Sequence, residues 1–345
     1  MPLRNQQKSL FAPRVLSGVQ PSGALHLGNF YGAIEQHIAL QHEYPGESFY
    51  FIANYHALTT IHDANELVKQ SWNVALDYLA LGLDPTKSTF YRQTDVPQVC
   101  ELMWILSCVT GKGLLDRGHA YKEKIDKGLV PSVGLFLYPE LMAADILAVR
   151  STIVPVGNDQ VQHLEITRDI ANSFNYTFGR DVFPSPEAKL NAAATVPGID
   201  GQKMSKSYEN TIPIFANDED LKAKVMHIKT SSVSLATPLI PDGDTVFTLY
   251  SLVSTPQQRV EMRERYLSGD IGYRQAKVEL LANLITYFEP FRERRQDLAN
   301  DLDQVEDILR DGALRARQEI AETLETVREA IGISHYHRHL TTMVN

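Results

Sequence analysis

Cysteine is scarce in this chain, which has only Cys100 and Cys108 among its 345 residues. Both lie in a predicted helix from Gln98 to Val109, where the helical rise separates them by about 12 Å. A disulfide needs Cα atoms within about 7 Å of each other, so we expect two reduced thiols, as in a cytosolic protein. The scarcity of cysteine also excludes a cysteine cluster for zinc or iron–sulfur ligation.

Long apolar runs are missing too, and those present are far too short to span a membrane. Residues 1–14 carry three basic residues and no acidic one, but they lack the apolar segment of a signal peptide. We therefore expect a loose N-terminal arm on a cytoplasmic protein with no membrane partner. The net charge of −9 argues against a protein that coats DNA, but leaves open a local basic surface for a nucleic acid recognised by its shape.

Apolar sequence is nevertheless sufficient for a large core, since 43% of the residues are hydrophobic. Up to residue 210, short apolar strands at 15–19, 48–53, 88–91 and 151–156 alternate with helical patterns. This alternation predicts a doubly wound parallel sheet of the α/β class, interrupted by an irregular, charged stretch over 110–136. From residue 211 to 345 we expect a second, all-helical domain. Its predicted helices are Asp218–Lys229, Pro256–Leu267, Tyr273–Phe288, Arg292–Leu309 and Ala313–Ile331.

The stretch from Gln20 to Asn29, here called the N-terminal turn, joins the first strand to a helix start. Gly23 permits a sharp turn, and Gly28 leaves room for a ligand against the backbone. Such a turn presents backbone N–H groups and the positive end of a helix to an anion, commonly a phosphate. An ordinary strand–helix turn with a solvated His26 is the alternative. No Gly-Lys-Ser/Thr follows, and the G-x-G-x-x-G pattern is absent.

A second informative stretch, Pro197–Ser207, is here called the lysine loop. Glycines precede Lys203 and Lys206, which are three residues apart. A mobile loop of this kind can place positive charge on phosphate oxygens whose charge grows in a transition state. Two solvent-exposed lysines in a surface loop are the alternative for this stretch on its own.

The two stretches together resemble a known family. His26-Leu27-Gly28-Asn29 and Lys203-Met204-Ser205-Lys206-Ser207 are similar to the paired signatures of class I aminoacyl-tRNA synthetases. The helix predicted over Tyr138–Leu147 places Tyr138, Met142 and Asp145 on one face, where the acid needs either a basic partner or a ligand N–H. This block and the segment Val154–Glu165 resemble the bacterial-type tryptophanyl-tRNA synthetases.

The resemblance implies a tryptophan pocket. Asp145 would accept the indole N–H, and Met142, Val154 and Val156 would line the ring. Tyr138 and Gln160 would hold the ammonium group, with His56 beside the substrate. The tyrosine-specific relatives arrange Tyr, Gln and Asp differently here. Leu16 stands where an aromatic residue often closes the pocket.

The resemblance also implies an ATP site and a set of catalytic residues. The ATP-binding residues would be Gln20, Ser22, Gly28, Asn29, Gly157, Asp159, Lys203, Met204, Ser205 and Lys206, and the catalytic ones His26, Asn29, Lys203, Lys206 and Lys124. The signature's usual final histidine is Asn29 here, which leaves one imidazole. Mg²⁺ would accompany ATP through phosphate oxygens and water, with no metal held by protein ligands.

These features imply a tryptophan–tRNA ligase that forms tryptophanyl-adenylate from L-tryptophan and ATP and then charges tRNA(Trp). A Rossmann-like catalytic domain (1–210) would contain a dimer-forming insertion near 97–140. The helical domain (211–345) would bind the anticodon, with its last helix packing back on the catalytic domain. The partners would be tRNA(Trp) and a second copy of the chain. The alternatives are a tyrosine-specific enzyme and a non-catalytic tRNA-binding paralogue.

Overall fold

The computed structural model describes residues 11–117, 128, 131–191, 195–231 and 237–334. Lys124 lies outside these residues. Five strands form one sheet in the order β3-β2-β1-β4-β5, and every neighbouring pair is parallel. The strands are β1 (Val15–Val19), β2 (Ser48–Ile52), β3 (Ser88–Arg92), β4 (Ile153–Val156) and β5 (Glu187–Leu190). The predicted α/β class is thereby confirmed, and the strand order reverses between β1 and β4.

Helices connect the strands in the first part of the chain. They are α1 (Leu27–Asn29), which continues through a π-helical segment (Phe30–Ile34) into α2 (Glu35–Glu43), then α3 (Asn54–Ala57), α4 (Ala64–Ala80), α5 (Gln98–Ser107), α6 (Lys112–Asp116), α7 (Val133–Ala148) and α8 (Val161–Phe178). Short 3₁₀ turns span Gln93–Asp95, Asn158–Gln160 and Lys206–Tyr208. The remaining helices are α9 (Asp218–Met226), α10 (Thr245–Leu252), α11 (Pro256–Ser268), α12 (Tyr273–Asn300) and α13 (Leu302–Ile331).

Two elements differ from the sequence prediction for local reasons. Helix α7 begins at Val133, not at Tyr138, because the Ser132 hydroxyl accepts the Leu135 N–H at 3.0 Å and caps the helix upstream of Pro139. Strand β5 is absent from the prediction because Glu187–Leu190 lies at the sheet edge without the fully buried apolar pattern of an inner strand.

The C-terminal helices are also divided differently. The predicted breaks between 288 and 292 and between 309 and 313 are both wrong, since α12 runs without interruption from Tyr273 to Asn300 and α13 from Leu302 to Ile331. The break lies at Asp301, whose carboxylate accepts the Gln304 N–H and starts the new helix. Gly312 lies in the helix interior because a Cβ there would come within 1.8 Å of the Phe90 carbonyl oxygen. This glycine therefore permits close packing of α13 on β3.

The core divides into two apolar clusters, one on each face of the sheet. Tyr50 and Ile52 belong to the cluster with α4 and α12, whereas Phe49 and Phe51 belong to the cluster with α5, α7 and α8. This division follows from the alternation of side chains along a strand. Both clusters include residues from beyond position 211, so the C-terminal helices share the core of the sheet.

Candidate active site

The N-terminal turn and the lysine loop contact each other at the carboxyl end of β1. Gly23 has φ +92°, the left-handed conformation that glycine adopts at least cost. The chain then enters α1, where the Gly28 N–H donates to Met204 Sδ at 3.3 Å. A Cβ on Gly28 would lie 3.2 Å from the Met204 Cβ, so only a small residue fits this contact comfortably. The two sequence signatures are thus one structural unit.

Lys206 and His26 determine the electrostatics of this unit. Lys206 Nζ donates to the carbonyl oxygens of Ser22 and Gly23, at 2.7 and 3.0 Å. Burial lowers the pKa of Lys206, an effect that nearby Asp77 opposes. Burial, with a further contribution from Lys206, lowers the pKa of His26 to about 4. His26 is therefore a neutral imidazole at neutral pH, and its ring can donate or accept without adding charge.

Two cavities adjoin the N-terminal turn. One, of about 240 Å³, is lined by five predicted ATP-binding residues: Gln20, Ser22, Asn29, Gly157 and Lys206. The other, of about 310 Å³, is lined by Gly28, Gly157, Lys203 and Met204. Asp159 lies in the 3₁₀ turn after Gly157. Ser205 lines neither cavity, and its hydroxyl accepts the Ser207 N–H. Eight of the ten predicted ATP-binding residues therefore line these two cavities.

A cavity of about 370 Å³ opens beside the first of these and shares Gln20 and Gln160 with it. Its walls contain all seven residues predicted to bind tryptophan: His56, Tyr138, Met142, Asp145, Val154, Val156 and Gln160. Leu16 and Phe51 complete the apolar part of the wall. The cavity is thus largely apolar, with polar groups converging at defined points, which is the usual composition of a small-molecule site.

Asp145 is the buried acid of this cavity, with 4% of the residue exposed. Gln93 Nε2 donates to both of its carboxylate oxygens, at 2.9 and 2.8 Å, and His56 Nε2 lies 3.0 Å from Oδ2. Gln93 also accepts the Tyr55 N–H through Oε1 at 3.0 Å. Among the residues that the structure describes, the acid is therefore held by an amide and an imidazole, and not by the lysine or arginine of a structural ion pair.

Two polar side chains that hold residues of this cavity in place, Gln93 and His163, are not among the predicted site residues. Gln93 directly follows β3, and a polar residue at the carboxyl end of a parallel strand is a recognisable signal for a binding site. His163 lines the cavity from α8. Its Nε2 lies 2.6 Å from the Tyr138 hydroxyl. This contact fixes the Tyr138 ring at the cavity wall.

In the described part of the chain, no group of three or more His, Cys, Asp or Glu side chains is placed to hold a metal ion. The helices described include none with the length and apolar character needed to cross a membrane.

A parallel sheet with adjoining cavities at its strand-order reversal is typical of nucleotide-binding α/β proteins. The family model for class I tRNA synthetases (W and Y) matches residues 9–289, and the chain belongs to this family. The resemblance seen in the sequence is therefore confirmed.

Relatives and solved structures agree with this family. The chain is 48% identical to the tryptophan–tRNA ligase of Fusobacterium nucleatum, over 93% of this chain and 98% of the relative. It is 49% identical to the tryptophan–tRNA ligase of Rhodopirellula baltica, over 93% and 99%. It is also similar to the crystal structure of the Campylobacter jejuni tryptophanyl-tRNA synthetase complexed with ADP and tryptophan. That likeness has a TM-score of 0.88 and 45% identity, and it covers 92% of this chain and 99% of the other.

Proposed function

We propose that this chain is an ATP-dependent ligase that joins L-tryptophan to tRNA(Trp). The observation that carries the proposal is the buried carboxylate of Asp145 in an apolar cavity that adjoins the cavity between the N-terminal turn and the lysine loop. Tryptophan offers one N–H on an otherwise apolar ring system. A cavity with one acidic acceptor among apolar walls matches that chemistry.

Tryptophan recognition follows from the hydrogen bonds of Asp145. Among the described residues, Oδ2 accepts from Gln93 and faces His56, whereas Oδ1 accepts only from Gln93. Oδ1 thus retains accepting capacity for the indole N–H. Met142, Val154 and Val156 contact the ring in this arrangement. Phenylalanine would leave the acceptor unpaired, and sites of this kind reject such analogues by about 10⁴–10⁵-fold.

The amino end of the substrate points towards the nucleotide. Tyr138 and Gln160 lie where the tryptophan ammonium group would be held, since Gln160 lines both cavities. The substrate carboxylate is then directed towards the turn and the lysine loop. It attacks the α-phosphorus of ATP in line, which forms tryptophanyl-adenylate and releases pyrophosphate.

In this first step the protein supplies alignment and positive charge, because the nucleophile is the substrate itself. Lys203 and Lys206 stabilise the phosphate oxygens, and neutral His26 and Asn29 hydrogen-bond at the helix mouth. Mg²⁺ accompanies ATP, bound through phosphate oxygens and water, the ligands it prefers. In the second step the terminal ribose hydroxyl of tRNA takes the acyl group from the adenylate and releases AMP.

The proposal extends to the organisation of the chain in a cytoplasmic homodimer. Residues 1–210 are the catalytic domain, and residues 211–345 bind the anticodon, with α13 returning to β3. Trp104 on α5 and Val133 at the start of α7 are exposed over 72% and 73% of their surfaces. Large exposed apolar side chains of this kind support the segment 97–140 as the contact with a second copy.

ATP–pyrophosphate exchange, run with each amino acid separately, tests the proposal. We expect exchange with tryptophan. Exchange with tyrosine alone would indicate the tyrosine-specific alternative, and no exchange with any amino acid would indicate a non-catalytic tRNA-binding protein.

A variant pair then tests the role of Asp145. Asp145→Ala should reduce the preference for tryptophan over phenylalanine by about 100-fold or more, since the selective acceptor is gone. The KM for ATP should change little. Glu140→Gln is the matched control, because Glu140 is a buried acid on the same helix but does not line the cavity. An unchanged preference in Asp145→Ala would contradict the assigned role.

A further inference from the structure

Asn210 is a buried polar residue just beyond the lysine loop, with 1% of its surface exposed. Its side-chain Oδ1 accepts the Ser205 N–H at 2.8 Å. Its Nδ2 donates to Asp200 Oδ1 at 2.7 Å and to the Lys203 carbonyl at 3.1 Å. Both amide hydrogens and the amide oxygen are therefore used within one loop.

The loop around Asn210 is a short hairpin. Pro197 and Lys203 form an antiparallel bridge, and the Gly198 N–H donates to the Gln202 carbonyl at 2.7 Å. Asn210 lies directly against Gly198, where a Cβ would come within 2.3 Å of the Asn210 amide carbon. The Ile199 N–H also donates to the Asn210 carbonyl at 2.9 Å. Side chain and backbone of Asn210 thus bind both arms of the hairpin.

The chain adopts an unfavourable conformation to bring Asn210 to this place. Glu209 has φ +52°, a left-handed conformation that costs a residue with a Cβ about 1–2 kcal/mol. Such a conformation persists where the surrounding contacts determine it. Here it reverses the chain after the 3₁₀ turn Lys206–Tyr208, so that Asn210 meets the start of the loop.

The hydrogen bonds of Asn210 also lie on either side of the contact between the N-terminal turn and the lysine loop. The Lys203 carbonyl and the Ser205 N–H flank Met204, and Met204 Sδ accepts the Gly28 N–H. Lys206, one residue further, contacts the carbonyl oxygens of Ser22 and Gly23. The backbone that carries both lysines is therefore held at two points by a single side chain.

We propose that Asn210 is a positioning residue for adenylate formation, which fixes the curvature of the lysine loop so that Lys203 and Lys206 face the N-terminal turn together. This inference rests on the proposed function, because the two positioned lysines act on the phosphates of ATP. Asn210 itself lines none of the three cavities described above. Removing its amide leaves a backbone N–H and a backbone carbonyl of the loop without their partner, so the loop loses its fixed shape.

The test compares Asn210→Ala with Asn175→Ala in ATP–pyrophosphate exchange. Asn175 is the matched control, because its amide also makes three hydrogen bonds to a loop, to Val182 and Phe183, away from the three cavities. We expect kcat to fall about 100-fold in Asn210→Ala, the order of effect of a misplacement near 1 Å, with the KM for tryptophan within about twofold. Asn175→Ala should retain both values.

A second readout does not depend on activity. Trypsin cleaves after lysine, and mass spectrometry can follow cleavage after Lys203 and Lys206 in the native protein. Cleavage there should be about tenfold faster in Asn210→Ala than in wild type or Asn175→Ala, because a released loop opens more often.

A pair of variants at positions 200 and 210 keeps the inference testable if Asn210→Ala does not fold. Asn210→Asp keeps the acceptor for the Ser205 N–H but places a second carboxylate against Asp200. Adding Asp200→Asn restores a donor–acceptor pair between the two side chains, so the double variant should have a higher kcat than Asn210→Asp.

The outcomes separate this inference from the proposed function. If wild type exchanges with tryptophan, while Asn210→Ala matches Asn175→Ala in kcat and in trypsin cleavage, the inference is wrong and the function stands. Equal kcat in Asn210→Asp and the double variant would also overturn it. If wild type shows no exchange with tryptophan, the proposed function fails, and the trypsin rates alone decide whether Asn210 orders the loop.

Discussion

Gln93 offers the most informative single perturbation, because it is the amide that holds the selective acid. It is 1% exposed, and its Nε2 donates to both oxygens of Asp145. We predict that Gln93→Ala weakens tryptophan binding without a comparable effect on ATP. Of its contacts with described residues, the carboxylate would keep only the one with His56. It would then be free to rotate away from the position proposed to accept the indole N–H.

The size of the effect follows from the bonds removed. A hydrogen bond to a charged group contributes about 1.5–3 kcal/mol, so losing the orientation of one acceptor should raise the tryptophan Kd by about 10–150-fold. Stability should fall as well. Leaving a buried hydrogen-bonding group unsatisfied costs about 1–3 kcal/mol, and the Tyr55 N–H also loses the acceptor that Gln93 provides.

A matched control separates binding from stability. Gln41 is 0% exposed, donates to the Gly82 carbonyl at 2.9 Å and accepts the Asp84 N–H at 2.8 Å, away from the cavities described above. Gln41→Ala should therefore destabilise the protein without changing tryptophan binding. Calorimetric titration of tryptophan gives Kd, and urea unfolding gives the free energy of unfolding. If both variants lost stability equally and Gln93→Ala kept the wild-type Kd, the reasoning would be refuted.

Three further predictions follow from the same structure. Lys206→Met should lower kcat of ATP–pyrophosphate exchange by about 100-fold, because the positive charge proposed to stabilise the phosphate oxygens is lost. An unchanged kcat would show that Lys206 takes no part in the reaction. Gly312→Ala should lower the free energy of unfolding by about 3 kcal/mol in urea, since the new Cβ would lie 1.8 Å from the Phe90 carbonyl oxygen; a loss typical of an exposed helix position would contradict the packing of α13. Because the pKa of His26 is lowered to about 4, the unfolded chain binds a proton below pH 6.5 that the folded chain does not bind until pH 4. The free energy of unfolding should therefore decline from pH 6.5 to 4 by about 2–3 kcal/mol more in wild type than in His26→Asn. Urea unfolding at each pH measures this difference. Parallel profiles of the two proteins would contradict the buried neutral ring.

Features that depend on neighbouring residues were predictable from the sequence, whereas features that depend on contacts between distant parts of the chain were not. The first helical connection and β1 were predictable, because strand sequence, glycine positions and the helix start lie next to each other in the chain. The cap of α4 was equally local, since the Asp63 side chain accepts the Glu66 N–H three residues away. Strand β5 was not predictable in this way, because it lacks the buried apolar pattern of an inner strand. The full length of α13 was not predictable either, because Gly312 is required there by its contact with Phe90, which lies far along the chain.

The site divides along the same line. The residue types at the N-terminal turn, in the lysine loop and on α7 predicted a set of residues that the structure brings to adjoining cavities. The residues that hold these site residues in place could not be predicted from the same patterns. Gln93 is 52 residues from Asp145 along the chain, and its importance appears only when the end of β3 meets α7.

The sequence by itself determined the α/β class, the positions of the two signatures and the acid on α7, because each depends on the order of neighbouring residues. The tertiary structure decided which groups surround that acid, how Lys206 reaches the carbonyl oxygens of Ser22 and Gly23, and how Asn210 binds the lysine loop. Hydrogen bonds between segments far apart in the chain cannot be predicted from a periodic pattern in the sequence. They exist only once the sheet and its two apolar clusters have brought those segments together.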